Sequence, residues 1–262
     1  MTHPIKPIIH TLFLPVPDLK AAIEWYADLF EQTIRPDKTG GGIYWGVSFD
    51  GTGIILDSHM WGLPPMIMFE SIRDIDASYD FCTGKGYSHV GELYRYEEAK
   101  HFAVGGNMVC WAISHEQPQE PVGDAHPLLT RISHVIAHGD RAAETEKWYA
   151  EFLQKDVRPD PLVQGLNGIA MDKGADLLVD DNRLSQTGKV HYEKLQLTLR
   201  VAPALVIDSP DVEAARGHVT AKGASDVTVI EERMGAACFM FYDPYGNGIM
   251  VRQRVVKPSI FS

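Results

Sequence analysis

Residues 8–37 read IIHTLFLPVPDLKAAIEWYADLFEQTIRPD. The chain contains a second copy of this motif, and the repeat indicates how the chain folds. It returns at residues 132–160 as ISHVIAHGDRAAETEKWYAEFLQKDVRPD. The pair Trp25-Tyr26 matches Trp148-Tyr149, and the RPD triplet that ends each stretch recurs at the same spacing of 123 residues. A long period carried by whole motifs indicates the duplication of a folded unit. The sequence therefore predicts two homologous halves.

Each half divides again into two units that begin with a short apolar strand and continue into a helix. Asp18 precedes apolar residues at helical spacing and is the expected N-cap of a helix over residues 18–30. The matching helix is predicted over residues 140–153. Gly86 and Gly223 follow later helical segments, where a left-handed residue commonly ends a helix. About three short strands follow each helix, so the sequence predicts four βαβββ units.

Composition narrows the class of protein. The chain has 262 residues, 45% of them hydrophobic, and a formal net charge of −11. This acidic balance, without a basic cluster, argues against binding to nucleic acid or to anionic membranes. No apolar run approaches the ~20 residues of a membrane-spanning helix, and the N-terminal residues do not read as a signal peptide. Three dispersed cysteines suit free thiols, so we expect a cytoplasmic protein.

The fold class expected from this pattern is α+β, with the four units paired into two cup-shaped domains. The first domain is predicted at residues 1–116 and the second at residues 129–262. A linker is predicted between them at residues 117–128, in a polar, proline-containing segment. The expected partner is a small-molecule ligand, and the chain is expected to be a monomer or a homodimer.

Two motifs carry a resemblance to a known family. The opening pattern H…D…WY of each half and the ending FYDPYGNGIMV, residues 241–251, resemble the vicinal oxygen chelate superfamily. That superfamily includes glyoxalase I, the extradiol dioxygenases and bleomycin-binding proteins. The resemblance implies that paired units curl their sheets into cups. It also implies that the first and last strands of each unit carry His and carboxylate ligands of a divalent metal. A substrate with adjacent oxygens can chelate that metal.

The implied metal positions lack the usual carboxylates. Each half keeps an opening histidine, whereas Cys110 and Met250 stand three residues after Asn107 and Asn247, where the family has its last glutamate. A single imidazole cannot hold a catalytic divalent ion. We therefore expect no metal and no cofactor, with a divalent metal such as Zn, Fe, Mn or Ni as the alternative. The implied positions are His10, Leu56, Met66 and Cys110 in the first half, and His134, Val179, Ala204 and Met250 in the second.

We expect the ligand to occupy the first cup. Strand alternation places His10 on the same face as Ile8, Leu12 and Leu14, where an imidazole could be a core residue or could orient a ligand. Cys110 is expected on the floor of the cup, as an inert thiol or as the partner of His10. Adaptable methionines would line the remaining wall. They are Met66, Met68 and Met108.

The second cup is the competing site. His134 and His138 are four residues apart on a strand and face the same way, and Asp181 could add a carboxylate. Their spacing of roughly 13 Å along the strand is too long for one ion without a bulge. Met250 would complete this lining. Asp57 and Asp180 are expected to face away from the cups and to make turns.

The functional prediction is a metal-free small-molecule-binding protein of the glyoxalase and bleomycin-resistance type, which takes an apolar or aromatic compound. The alternative is a metal-dependent lyase, isomerase or ring-cleaving dioxygenase with an atypical site. In a third possibility, one half is purely structural and supports a ligand-binding partner half. Whether the protein is an enzyme stays open at this stage, because the superfamily spans many chemistries.

Overall fold

A computed structural model describes most of the chain. The described residues are 3–117, 126–139, 141–180, 194–195, 198–199, 201–233 and 235–254. Most of the predicted linker, and the predicted candidate Asp181, lie outside them.

The first half contains two units of strand, helix and three strands. Asp18 accepts the backbone N–H of Ala21 and begins the first helix, and Asp74 caps the second helix in the same way. The 3₁₀ turns are Pro36–Lys38 and Ile113–His115. The elements are β1 Ile5–Pro15, α1 Leu19–Leu29, β2 Thr39–Gly40, β3 Ile43–Val47, β4 Gly53–Asp57, β5 Met66–Ser71, α2 Ile75–Gly84, β6 Tyr94–Arg95, β7 Ala99–Val104 and β8 Asn107–Ala112.

The second half repeats this order with one short hairpin added. Its helices match the predicted positions, and Gly223, with a φ of 77°, follows the second of them just as Gly86 does in the first half. The elements are β9 Arg131–His138, α3 Ala142–Leu153, β10 Arg158–Pro159, β11 Asn167–Ile169, β12 Asp176–Asp180, β13 Lys194–Leu195, β14 Thr198–Leu199, β15 Val201–Ser209, α4 Val212–Ala221, β16 Glu231–Arg233, β17 Ala236–Tyr242 and β18 Asn247–Gln253.

Each half forms one eight-stranded sheet. The strand order is β2-β3-β4-β1-β5-β8-β7-β6 in the first half and β10-β11-β12-β9-β15-β18-β17-β16 in the second. The two opening strands of each half pair antiparallel at the centre, and each unit's last strand pairs parallel with its first. The α+β class and the paired βαβββ units are therefore confirmed. None of the described helices combines the length and apolarity needed to cross a membrane.

The two faces of each sheet have separate cores, and this corrects one prediction. Leu56 and Val179 belong to the large cluster under the helices, whereas Ile55 and Leu178 line the concave faces. Leu12 and Leu14 also lie on the helix side. Because alternation has a period of two, Asp57 and Asp180 share the concave face with Ile55 and Leu178. The predictions that Leu56 and Val179 face the cups, and that Asp57 and Asp180 face away from them, were therefore wrong.

Helices α1 and α3 join the halves by crossing to the opposite sheet. The Tyr26 hydroxyl donates to Asp243 Oδ2 at 2.6 Å, and the Tyr149 hydroxyl donates to Asn107 Oδ1 at 2.9 Å. Trp148 packs at 2.9 Å from the place where a Cβ on Gly105 would lie. One cluster of buried apolar side chains runs through both halves. The second half is therefore held firmly against the first.

Candidate metal centre and ligand cup

A β-bulge in β1 places His10. Ile9 is paired with Phe69 and Thr11 with Met68, so His10 is the extra residue between them. In β9 the extra residue is Ser133, because Ile132 and His134 are paired with consecutive residues of β15. His10 is therefore equivalent to Ser133, and His134 to Thr11. The assumption that each half keeps the same opening histidine was wrong, and the spacing of 123 residues already agrees with the corrected alignment.

His10, Glu70 and His115 form a compact group of metal-ligating side chains. One ligand atom from each lies within 4.8 Å of the other two, and the imidazole ring centroids are 3.9 Å apart. Glu70 is on β5 and is buried. His115 ends the 3₁₀ turn that follows β8. The bulge, the central strand and the last strand thus converge on one point at the end of the first cup.

The protonation states in this group suit a cation. Burial lowers the pKa of His10, and burial together with the neighbouring charges of His10 and Lys6 lowers the pKa of His115 to about 3. Both rings are therefore neutral at pH 7, and His115 Nδ1 is buried without a hydrogen-bond partner. Lys6 Nζ lies 2.5 Å from Glu70 Oε1, so a positive charge already pairs with this carboxylate. Two imidazoles and one carboxylate fit a divalent metal ion.

A row of side chains extends from this group across the concave face. The strand register places Glu70 opposite Cys110, Cys110 opposite His101, and His101 opposite Tyr94. Tyr94 and Tyr96 stack on the His101 ring at 5.5 and 5.8 Å between centroids, and both tyrosines are exposed. Burial lowers the pKa of His101, which is therefore a neutral imidazole. The sequence alone did not single out His101.

The methionines predicted for the first cup lie beside this row. Met68 and Cys110 pack with Phe13, Ile55 and Met60 on the concave face, and Met66 and Met108 border the same cluster. Burial, followed by the charge of Glu70, raises the pKa of the Cys110 thiol to about 12. Cys110 is thus a neutral thiol. Its proposed partnership with His10 as a thiolate has no support in this protonation state.

Buried apolar side chains line the second cup. The register aligns His134, Val206 and Met250 across the sheet, and the last two pack with Met240 and Leu178. The position predicted at Ala204 is therefore occupied by Val206. These apolar residues offer no oxygen ligand next to His134.

The remaining polar groups of the second cup are bound to one another. His134 lies 3.3 Å from Asp160, His138 Nε2 donates to the Pro203 carbonyl oxygen at 2.6 Å, and His138 Nδ1 lies 3.4 Å from Asp180 Oδ2. The carboxylate equivalent to Glu70 is Asp208, which Arg252 pairs at 2.8 Å and Arg131 at 3.3 Å. Arginine therefore neutralises the acidic group of the second cup that is equivalent to Glu70.

A second group of potential ligands, Glu31, His126 and His218, lies at the junction of the halves. His126 Nδ1 accepts the backbone N–H groups of Leu128 and Leu129 at 3.1 and 2.9 Å. A neutral imidazole that accepts at Nδ1 carries its proton on Nε2, the atom that faces Glu31. This proton blocks the lone pair that a metal needs, so the junction group does not fit a metal ion.

Comparison with known proteins places the fold. Neither protein-family models nor curated proteins give a match to the sequence. Among solved structures, the Mn(II)-bound glyoxalase from Novosphingobium aromaticivorans is 14% identical with a TM-score of 0.62, over 95% of this chain and 83% of that one. The 2,2',3-trihydroxybiphenyl 1,2-dioxygenase from Sphingomonas wittichii strain RW1 is 15% identical with a TM-score of 0.57, over 99% and 94% of the two chains. A homoprotocatechuate 2,3-dioxygenase variant from Brevibacterium fuscum is 12% identical with a TM-score of 0.59, over 99% and 76%.

The protein therefore has the two-domain vicinal oxygen chelate fold. In this chain the first cup carries a group of two histidines and one carboxylate, and the second cup carries no such group among the described residues. The expectation that no metal cofactor is needed was wrong. The similar structures include a Mn(II)-bound enzyme, and the first cup holds the potential metal ligands Glu70 and His115, which lie outside the positions on which that expectation was based.

Proposed function

We propose that the protein is a metal-dependent enzyme whose first cup binds a small aromatic compound with adjacent oxygen atoms and cleaves its ring with dioxygen. The observation that carries this proposal is the convergence of His10, Glu70 and His115. Three protein ligands leave coordination positions open, and two histidines with one carboxylate are typical of non-haem iron oxygenases. A divalent ion bound there would act as a Lewis acid toward the substrate oxygens.

The proposed substrate would lie on the concave face between Glu70 and His101. His101 and Glu70 lie on β7 and β5, two strand positions apart with β8 between them. Neighbouring strands are about 4.8 Å apart, so roughly 10 Å separates the two backbones. Met68 and Met108 are neighbours beneath this space and offer a deformable, polarizable surface. A planar ring on this surface would have Tyr94 and Tyr96 at its outer edge.

The chain's own residues supply binding and proton transfer. The apolar surface excludes water and contributes most of the affinity. The neutral His101 imidazole can accept a proton from a phenolic oxygen, and the stacked tyrosines hold its ring in place. Cys110 stays protonated and leaves Glu70 as the only anion facing the substrate from this row.

Ring cleavage is favoured over a glyoxalase-like reaction by the aromatic rim. Tyr94 and Tyr96 are exposed by 46% and 60% and yet lie against His101, which leaves their faces available to a planar ligand. The dioxygenases among the similar structures support the same reaction class. Their substrates are not carried over to this chain.

The test is oxygen consumption by the protein loaded anaerobically with Fe(II) or Mn(II) and given a panel of catechols. We expect oxygen uptake with at least one catechol, accompanied by the absorbance of a ring-opened product. Glu70→Gln should abolish it, whereas Glu24→Gln, an exposed helix residue, should not. Uptake that is equal in both variants, or metal binding without any turnover across the panel, would overturn the proposed reaction.

A further inference from the structure

A turn of the second half is docked beside the candidate centre. The backbone N–H of Asp172 donates to the Pro7 carbonyl oxygen at 2.8 Å, and Lys173 forms a β-bridge with Ile8. Thr52 completes the contact: its hydroxyl donates to the Ile9 carbonyl oxygen and accepts the N–H of Ala175, both at 2.8 Å. The turn is therefore fixed to the strand segment that leads into the His10 bulge.

Two glycines allow this approach. A Cβ on Gly174 would lie 2.4 Å from the Thr52 hydroxyl, and a Cβ on Gly51 would lie 2.5 Å from the Gly174 Cα. Both residues also have positive φ angles, of 84° and 93°. No other residue type fits these positions without moving the backbone. This close packing fixes the position of Lys173 beside the first cup.

Two lysines from opposite halves flank the centre. Lys6 pairs with Glu70, and its side chain is 37% exposed, so its ammonium group is accessible from solvent. Lys173 is exposed, and its bridge partner Ile8 lies two residues before His10 in β1. Among the described residues, no carboxylate lies within ion-pairing distance of Lys173. Two ammonium groups therefore flank this end of the cup, on a chain whose net charge is −11.

We propose that Lys6 and Lys173 bind the carboxylate of the substrate, so that the enzyme acts on aromatic acids with adjacent ring oxygens rather than on neutral catechols. This inference rests on the proposed function of the same cup. It also gives the second half a role, because its turn provides one of the two lysines that select the substrate.

Lys6 links metal binding to substrate selection. Lys6 Nζ lies 2.5 Å from Glu70 Oε1 and neutralises this carboxylate. A divalent ion bound by Glu70 would compete for the same oxygens, and the ammonium group would then be available to an anionic ligand. Lys6→Met should therefore strengthen metal binding while it weakens the binding of aromatic acids. A lysine with only a structural role would not produce these opposite effects.

The experiment is calorimetric binding to the Mn(II)-loaded full chain. The probes are 3,4-dihydroxybenzoate and 3,4-dihydroxycinnamate, each compared with catechol. We expect the better acid to bind at least about tenfold more tightly than catechol, the value of one charge-assisted hydrogen bond. The preference should shrink severalfold in Lys173→Met and at higher salt, and Lys173→Arg should restore most of it. Lys100→Met is the matched control, because Lys100 lies over Trp111 on the opposite face of the sheet.

Metal content is measured in parallel to separate the two proposals. Normal metal content with no preference for either acid, or with a preference that survives in Lys173→Met, would overturn the role of the lysines and leave the metal centre standing. If the wild-type protein binds no metal, the proposed function is overturned, and this inference with it.

Discussion

At the residue scale, the candidate centre depends on side chains whose protonation states already suit a cation. His115 is the clearest case, because its imidazole contacts His10 and has a buried Nδ1 without a partner. Burial also keeps the nearby Cys110 thiol protonated, and the strand register places Cys110 opposite Glu70. The chemistry of this cup is thus decided by Glu70 and His115.

The lowered pKa of His115 predicts how the metal-free protein responds to acid. The folded-state pKa is about 3, against 6.5 for an ordinary histidine. As pH falls below 6.5 the unfolded chain takes up a proton at His115, whereas the folded chain does not until about pH 3. Stability should therefore fall across this window, by up to about 1.4 kcal/mol per pH unit for one proton. Urea unfolding of wild type and His115→Asn at several pH values measures the difference, and parallel curves would contradict the assignment.

Cys110 is predicted to be dispensable for metal binding. A thiol with a pKa of about 12 is a poor ligand at neutral pH. Cys110→Ser should bind Mn(II) with an affinity within about threefold of wild type, whereas Glu70→Gln should lose about a hundredfold or more, since even outer partners of ligands contribute 10–100-fold. Equilibrium dialysis measures both variants. An equal loss in Cys110→Ser would place sulfur among the ligands.

At the element scale, single-residue irregularities decide where the site lies. The bulge in β1 turns His10 toward Glu70, and a 3₁₀ turn after β8 brings back His115. The helices, the Asp18 cap and the four βαβββ units could be predicted from the repeat, because apolar periodicity and capping residues are local signals. The bulge could not, since it adds one residue without a distinctive sequence. Without the bulge, His10 was aligned with His134. Leu56 and Val179 were predicted to face the cups, whereas they lie on the helix side.

Glu70 and His115 were missed for related reasons. Glu70 lies four residues beyond the predicted ligand position at Met66, in the same strand, and its register with Cys110 agrees that it faces the cup. His115 follows the last strand, outside any position that the family pattern marks. A search for ionisable residues with the parity of Met66 and Met68 would have found Glu70.

The docked turn gives the prediction at this scale. Gly174→Ala should destabilise the protein by about 2–4 kcal/mol, because it combines positive-φ strain with a backbone and side-chain clash. Gly86→Ala has a similar φ of 67° but meets no atom within 4 Å, so it should cost only about 1 kcal/mol. Both variants introduce positive-φ strain, so the difference between their thermal unfolding measures the effect of the close approach of Gly174 to Thr52. Equal losses would show that the turn can move away from Thr52 freely.

At the scale of the whole molecule, the halves are expected to unfold together. Their helices are exchanged across a shared core, and Tyr26 reaches the buried Asp243 of the opposite sheet. Burial raises the pKa of that carboxyl group, and its bonds to Tyr26 and Asn247 oppose the shift. The duplication therefore produced one cooperative body with unequal cups.

Tyr26→Phe tests this cooperativity. It removes a donor from a buried carboxyl group and should cost about 1–3 kcal/mol. Tyr149→Phe, which breaks the equivalent bond to neutral Asn107, should cost about 0.5–1.5 kcal/mol. Calorimetry should show a single transition for wild type and both variants. Two separate transitions in the wild-type protein would contradict the single cooperative body.

The most direct test of the central claim is the metal content of the full chain, purified without chelators and then equilibrated with Mn(II) or Fe(II). We predict about one ion per chain, with the content lost in Glu70→Gln and in His115→Ala and retained in His218→Gln, a variant of the junction group that does not fit a metal. A wild-type protein that holds no ion, or an ion that survives both substitutions in the first cup, would contradict the account.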